Sequence, residues 1–347
     1  MFNRLSHTWF TGFLLILLSP IFFLSTQVRA QLDEATIGYV HFKTFVELNT
    51  DSLPDAPELD PSFLSPKPII LHSGFSSYEA LIALFPGEPQ ILINSDTVTR
   101  IYWRCTKCTP LSIDGKFDGD TEYFVDSSNK DTRFLARFVY KNIDGKSNIL
   151  IASSTTDAQE DRLLTGRFTC GIVSLAVFTE QDSTTYRLTK FVPAWRCLGQ
   201  FCTPPIPELL EIGPAQNALI LKDVLQGGGG PVIESSELTS ISGNFFKDIF
   251  SRMPTSRWNV GLTNYQSRFI TQKDSINNGF YQLVLESKGE FNVHDWDKDE
   301  IQDLPKKLIA ESRKKGTVHF VWKNYYKYDG LRYQWYAEKL KMGKGKS

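Results

Sequence analysis

From about residue 69 to residue 336 the apolar positions come in short runs of Val, Ile, Phe, Tyr, Trp and Thr, interrupted by Gly, Pro, Asn and Asp. Such side chains suit a pleated, half-buried surface, so the pattern predicts strands. Two hairpins stand out. Segments 133–141 and 148–153 flank Asp144-Gly145, and segments 317–328 and 331–336 flank Asp329-Gly330; the Asp-Gly pair supplies the positive φ of a tight turn. Further strands are predicted at 90–94, 97–103, 167–179, 185–192, 218–221, 257–262 and 280–286. Helical spacing is confined to two places. Leu304, Leu308 and Ile309 share one face of 304–314, with Asp303 as N-cap and Lys314 and Lys315 at the C-terminal end of the dipole, and a shorter helix is expected over 245–252. The fold class predicted is mainly β, a sandwich or incomplete propeller-like architecture with one or two short helices.

The N-terminal pattern is different. Arg4 precedes an almost unbroken apolar run at 13–24, and Val28-Arg29-Ala30 places small residues where a signal peptidase cuts, so residues 1–30 read as a signal peptide. Residues 31–50 hold one strand-like segment. Residues 51–68 collect Pro54, Pro57, Pro61, Pro66 and Pro68 with four acidic side chains, an acidic linker that neither pairs in a sheet nor continues a helix. The β-rich domain spans 69–336. Lys339, Lys341, Lys344 and Lys346 make 337–347 a basic tail, expected to be solvated and frayed. A leader implies a periplasmic or secreted protein that is not embedded in a membrane after cleavage. The absence of any Asn-x-Ser/Thr site leans toward a bacterial envelope.

Net charge is −1, so no global field argues for nucleic acid. The cysteines change the picture more. In an oxidising compartment Cys105, Cys108, Cys170, Cys197 and Cys202 read as structural disulfides: Cys197 with Cys202 around Gly199, and Cys105 with Cys108 or Cys170, leaving one thiol over. A zinc site lacks a second CxxC, and redox catalysis by Cys105 and Cys108 lacks a following helix.

Asp295, Asp297, Asp299 and Asp303 stand at positions one, three, five and nine of an acidic loop, spacing that turns carboxylates inward around a hard cation. The loop resembles calcium loops of the FG-GAP type; the expectation is no cofactor, with calcium the alternative and an acidic, solvated lead-in to the helix at Leu304 the competing reading. Glu300 departs from that motif's glycine, and Lys306 replaces the bidentate glutamate of an EF-hand. His72-Ser-Gly74 invites comparison with a hydrolase oxyanion segment, yet no Gly-x-Ser-x-Gly elbow exists. Gly227 to Gly230 lack the Lys-Ser/Thr of a phosphate loop and read as a flexible or close-packed turn.

Aromatic residues crowd the last hairpin. Tyr326, Tyr328, Tyr333 and Trp335 are the candidate binding face, the competing expectation being that they pack across strands. The run from Arg167-Phe-Thr-Cys-Gly171 through Glu211-Ile-Gly-Pro-Ala, with Tyr328-Asp-Gly-Leu-Arg-Tyr333, resembles a loosely defined group of uncharacterised exported bacterial β-rich proteins. That resemblance implies an envelope protein and transfers no catalytic residue. The reading that follows is an exported binding protein, its partner another envelope protein, a glycan or a small ligand; the alternatives are a periplasmic hydrolase or thiol oxidoreductase, or an inhibitor or immunity-type partner.

Overall fold

The computed structural model describes residues 68–94, 97–106, 108, 111–112, 122–123, 130–157, 170–226, 230–243, 245–259, 263–298, 301–302 and 304–344. The predicted leader, the 31–50 segment, all of the acidic linker but Pro68, most of the glycine run, Asp299 and Asp303 lie outside the described residues.

β1 (Ile70–His72) leads to a helix, α1 (Ser77–Leu84), then to β2 (Gly87–Asn94), β3 (Thr97–Cys105), the short pair β4 (Leu111–Ser112) and β5 (Glu122–Tyr123), β6 (Lys130–Lys141), β7 (Ser147–Asp157), β8 (Gly171–Asp182) and β9 (Thr185–Leu198). Apart from β4 and β5, these strands form one sheet in the order β1-β9-β8-β7-β6-β3-β2. Eight further strands form a meander: β10 (Glu208–Gly213), β11 (Gln216–Gln226), β12 (Val232–Ser240), β13 (Lys247–Trp258), β14 (Tyr265–Asn277), β15 (Phe280–Phe291), β16 (Val318–Tyr328) and β17 (Tyr333–Lys344). Helix α2 (Lys306–Lys315) interrupts it between β15 and β16. The pairing is antiparallel throughout, and the fold is the mainly β, sandwich-like or incomplete-propeller-like class that the pattern predicts.

Alternation builds the layers. Along β8, Ile172, Ala176 and Phe178 pack with Phe75, Leu81, Leu84 and Phe191 beneath α1, while Val173, Leu175 and Val177 turn to Trp195, Leu219 and Leu221 between the two sheets. In the meander, β13 and β14 pair through Ser256↔Gln266 and Arg257↔Tyr265, a short seam. On either side of it β10–β13 and β14–β17 share a core of Ile212, Ile220, Leu238, Phe250, Leu283, Leu285 and Tyr326. The far end of β15–β17 buries Phe291, Val318 and Phe320 against Leu308 of α2.

Several expectations are corrected. Segment 245–252 is not helical, because Phe250 pairs with Leu238 across the β12–β13 ladder and long-range pairing outweighs the local pattern. The strand expected at 257–262 is the end of β13, which stops at Trp258. Helix α2 begins behind Pro305, which occupies the N-cap without a side-chain bond. Residues 337–344 of the basic tail continue β17, with Lys344 opposite Val318, so this part is ladder and not frayed chain, and 345–347 lie outside the described residues. Neither Asp-Gly pair makes a two-residue turn. β6 and β7 close at Lys141↔Ser147, and the Asn142 side chain accepts from Asp144 N and Lys146 N across the wider loop. Asp329 does the same for Leu331 N and Arg332 N. Gly145 and Gly330 do take the positive φ expected of them, 76° and 108°.

Candidate functional site

The last hairpin and the start of α2 form an open groove of about 490 Å³, lined by Trp322, Trp335, Glu338 and Leu340 on one side and by Leu304, Pro305, Lys306 and Lys307 on the other. Its construction follows from strand period. On β16, Val318, Phe320, Asn324, Tyr326 and Tyr328 are buried, and Trp322 shares their face. A register shift between Tyr325 and Tyr326 pairs Tyr325 with Ala337 and Tyr326 with Trp335, leaving Tyr336 as the extra residue. Trp335 and Glu338 therefore both reach the groove side.

Both indoles are held by their nitrogens. Trp322 Nε1 donates to Glu338 Oε2 at 2.9 Å, and Trp335 Nε1 donates to Asn324 Oδ1 at 3.3 Å. Leu304, Leu340, Met342 and Trp322 lean on the Leu308–Phe320 core, so the floor is apolar and supported from below. Trp335 remains 56% exposed, and Lys306 and Lys307 are exposed at the rim. The arrangement offers apolar ring surface flanked by one carboxylate and two ammonium groups. It suits a ligand with an apolar face and hydroxyls around its edge.

Most of the predicted aromatic face is elsewhere. Tyr326, Tyr328 and Tyr333 are 8, 7 and 5% exposed and belong to the core of the meander. Tyr328 stacks on Phe280 with ring centroids 3.8 Å apart, and the Tyr333 hydroxyl donates to Tyr281 O at 2.9 Å. Burial pushes the Tyr326 hydroxyl up to about 12. The correction has a simple cause: residues two apart share a face, and this face points inward. Trp335 alone of the four predicted residues reaches the groove. Trp322 was missed, although its even spacing from Tyr326 and Tyr328 was the available signal.

One expected cysteine pairing is present and the other is corrected. Cys105 and Cys108 stand at disulfide distance, 2.02 Å. Cys197 pairs with Cys170, not with Cys202, because the β8–β9 register sets Ile172 opposite Cys197 and brings the start of β8 to the end of β9. Cys202 sits in a turn where it and Phe201 have φ of 56° and 50°, and Arg133 donates to its carbonyl oxygen. Cys105 and Cys108 are buried, unlike the partly exposed cysteines of thiol catalysts.

The acidic loop is partly spoken for. The Asp295 carboxylate accepts from Thr263 Oγ1 at 3.1 Å, its carbonyl oxygen accepts from Arg257, and that guanidinium lies over Trp296. Asp297 is exposed. Among the described residues no group of three or more His, Cys, Asp or Glu side chains converges on a point. His72 has a structural task. Its Nε2 lies 2.9 Å from Glu79, which also accepts from Ser76 N while Ser76 Oγ accepts from Glu79 N, a capping box at the start of α1. The Ser76 backbone N–H, then His72, hold the Glu79 carboxyl down at about 2.

Fold and groove together define a two-sheet antiparallel β protein with two cysteine pairs at disulfide distance. Comparison with known protein families, with curated proteins and with solved structures returns no match. Among the described residues no helix is long and apolar enough to cross a membrane.

Proposed function

We propose that this is an exported binding protein, periplasmic or secreted, whose groove between α2 and the β16–β17 hairpin holds a sugar ring of a glycan. The observation that carries the reading is the pair of tryptophans, Trp322 and Trp335, each anchored through its indole N–H while Trp335 stays open to solvent. Aromatic surface fixed in advance binds the apolar face of a sugar with little ordering cost. Glu338, Lys306 and Lys307 are placed to meet its hydroxyls. Export is supported by the leader-like N-terminus and by the two cysteine pairs, which suit an oxidising compartment.

The test is a titration of purified protein with a panel of neutral oligosaccharides, followed by tryptophan fluorescence and calorimetry. A member of the panel binds the wild type, and Trp335→Ala removes that binding while the circular dichroism spectrum is unchanged. Binding that survives Trp335→Ala, or a panel in which nothing binds, rejects the groove as a glycan site.

A further inference from the structure

The opposite face of the same strands is cationic, and its arrangement is set by register. Across β14, β15, β16 and β17, Arg268 pairs with Glu286, Glu286 with Lys323, and Lys323 with Lys339, one rung of four side chains on one face. The neighbouring rung runs Gln266, Lys288, Val321, Lys341. Alternation puts Lys327 and Tyr325 on this face too, and Lys327 lies over the Tyr336 ring at 4.6 Å. The face thus gathers Arg268, Lys288, Lys323, Lys327, Lys339 and Lys341 against two carboxylates, Glu286 and Glu290.

Glu286 organises the stripe without neutralising it. Its side chain is 5% exposed and lies 2.9 Å from Arg268 Nη2, 2.8 Å from Lys288 Nζ and 2.8 Å from Lys323 Nζ. One acid tethers three cations and leaves their heads toward solvent. Glu290 lies 3.3 Å from His319. Lys327, Lys339 and Lys341 are exposed and form no ion pair with a described residue. Lysines on an edge strand also discourage strand-to-strand aggregation, which accounts for Lys339 and Lys341 on β17. It does not account for Arg268, Lys288 and Lys323, which sit on interior strands.

We propose that this outer face of β14–β17 is a docking surface for an acidic polysaccharide, carboxylated or sulfated. Strands lie about 4.8 Å apart and successive same-face residues about 7 Å apart, so the cations form a narrow stripe four strands long. A linear polyanion fits a stripe of that shape, with the Tyr325 and Tyr336 rings at one end to meet a sugar. An anionic bilayer is disfavoured because the aliphatic side chains on this face, Ile270, Val284 and Val321, are half-buried or buried and leave little apolar surface to enter lipid. This surface is separate from the groove, and either stands without the other.

The experiment measures binding of the protein to heparin, to polygalacturonate and to vesicles of phosphatidylglycerol in phosphatidylcholine, each across a range of salt. Polysaccharide binding that weakens steeply with salt is expected. The triple variant Lys327→Ala/Lys339→Ala/Lys341→Ala should bind about tenfold more weakly. A control with the same loss of charge, Lys141→Ala/Arg313→Ala/Lys314→Ala, alters exposed cations on β6 and α2 and should bind as wild type does. Equal weakening in both variants, binding to vesicles alone, or no salt-sensitive binding to either polysaccharide overturns the proposal.

Discussion

β8 and β16 are both interior strands of antiparallel sheets, and they are used in opposite ways. Every residue from Gly171 to Phe178 is buried, because β8 lies between the α1 layer and the second sheet. β16 alternates. Its inward residues split between the core and the groove, and its outward residues, Lys323, Tyr325 and Lys327, face the cationic stripe. A strand packed on two sides has no surface left for a partner, whereas one whose faces are only partly covered keeps room for one. The division extends to whole regions. The seven-stranded sheet and its contact with β11–β13 form the buried layer, and the two binding surfaces we propose both lie in the β14–β17 half.

Charged and polar groups strengthen that contact. Arg196 on β9 donates to Glu237 on β12 at 2.8 Å and reaches Asp248 on β13; Gly199 N donates to Asp223; Lys190 donates to Ile241 O and Gly243 O; and within the second sheet Arg252 donates to the same Asp223 and Glu237 carboxylates. Trp195 Nε1 donates to Thr239 Oγ1 in the same layer. Burial raises the Asp223 carboxyl, and the Arg252 guanidinium opposes that shift.

The largest effect should therefore come from the buried layer. Trp195→Ala removes an indole that is almost wholly inaccessible and is expected to cost about 4 kcal/mol in urea unfolding. A loss under 1 kcal/mol would mean that the two sheets are not joined there. Next, Cys170→Ser/Cys197→Ser opens a link across 27 residues, and an oxidised wild type should exceed it by about 3 kcal/mol. A smaller effect belongs to the outer face. Lys288 and Lys323 hold the Glu286 carboxyl at about 2, against an ordinary 4.5. Because the folded value lies below the unfolded one, this contribution is complete above about pH 4.5 and is lost as pH falls toward 2. Comparing Glu286→Gln with wild type in acid titrations should show that part of the pH dependence disappear. Smallest of all, Trp335→Ala should change stability by no more than about 0.5 kcal/mol, since its ring contributes to a surface groove. A large loss would move Trp335 from the ligand side of the comparison to the structural side.

The division was only partly legible in the sequence. Strand-rich composition and the punctuation around 133–153 and 317–336 located both best hairpins, because β-branched runs and turn residues act locally. Strands β10, β12 and β14 escaped notice: segments such as Val232–Ser240 carry Glu and Ser, and they are strands because β11 and β13 pair with them on both sides. Helix α1 was also missed, although Ser76 and Glu79 stand at capping-box spacing. The groove was half visible. Trp335 stands in the same aromatic pattern as three tyrosines, but a sequence does not say which face of a strand is covered, and the bulge at Tyr325/Tyr326 decides it. The partner of Cys197 likewise depends on the β8–β9 register, which no local spacing encodes.

The claim that β14–β17 is the ligand-bearing half meets its most direct test in amide and indole NMR shifts recorded while an oligosaccharide that binds is titrated into the intact protein. The account predicts that the Trp322 and Trp335 indole resonances and the amides of Lys306, Lys307 and Glu338 move together with one dissociation constant, while Trp195 and β8 stay fixed. Shifts confined to the seven-stranded sheet, with Trp335 unmoved, would contradict it.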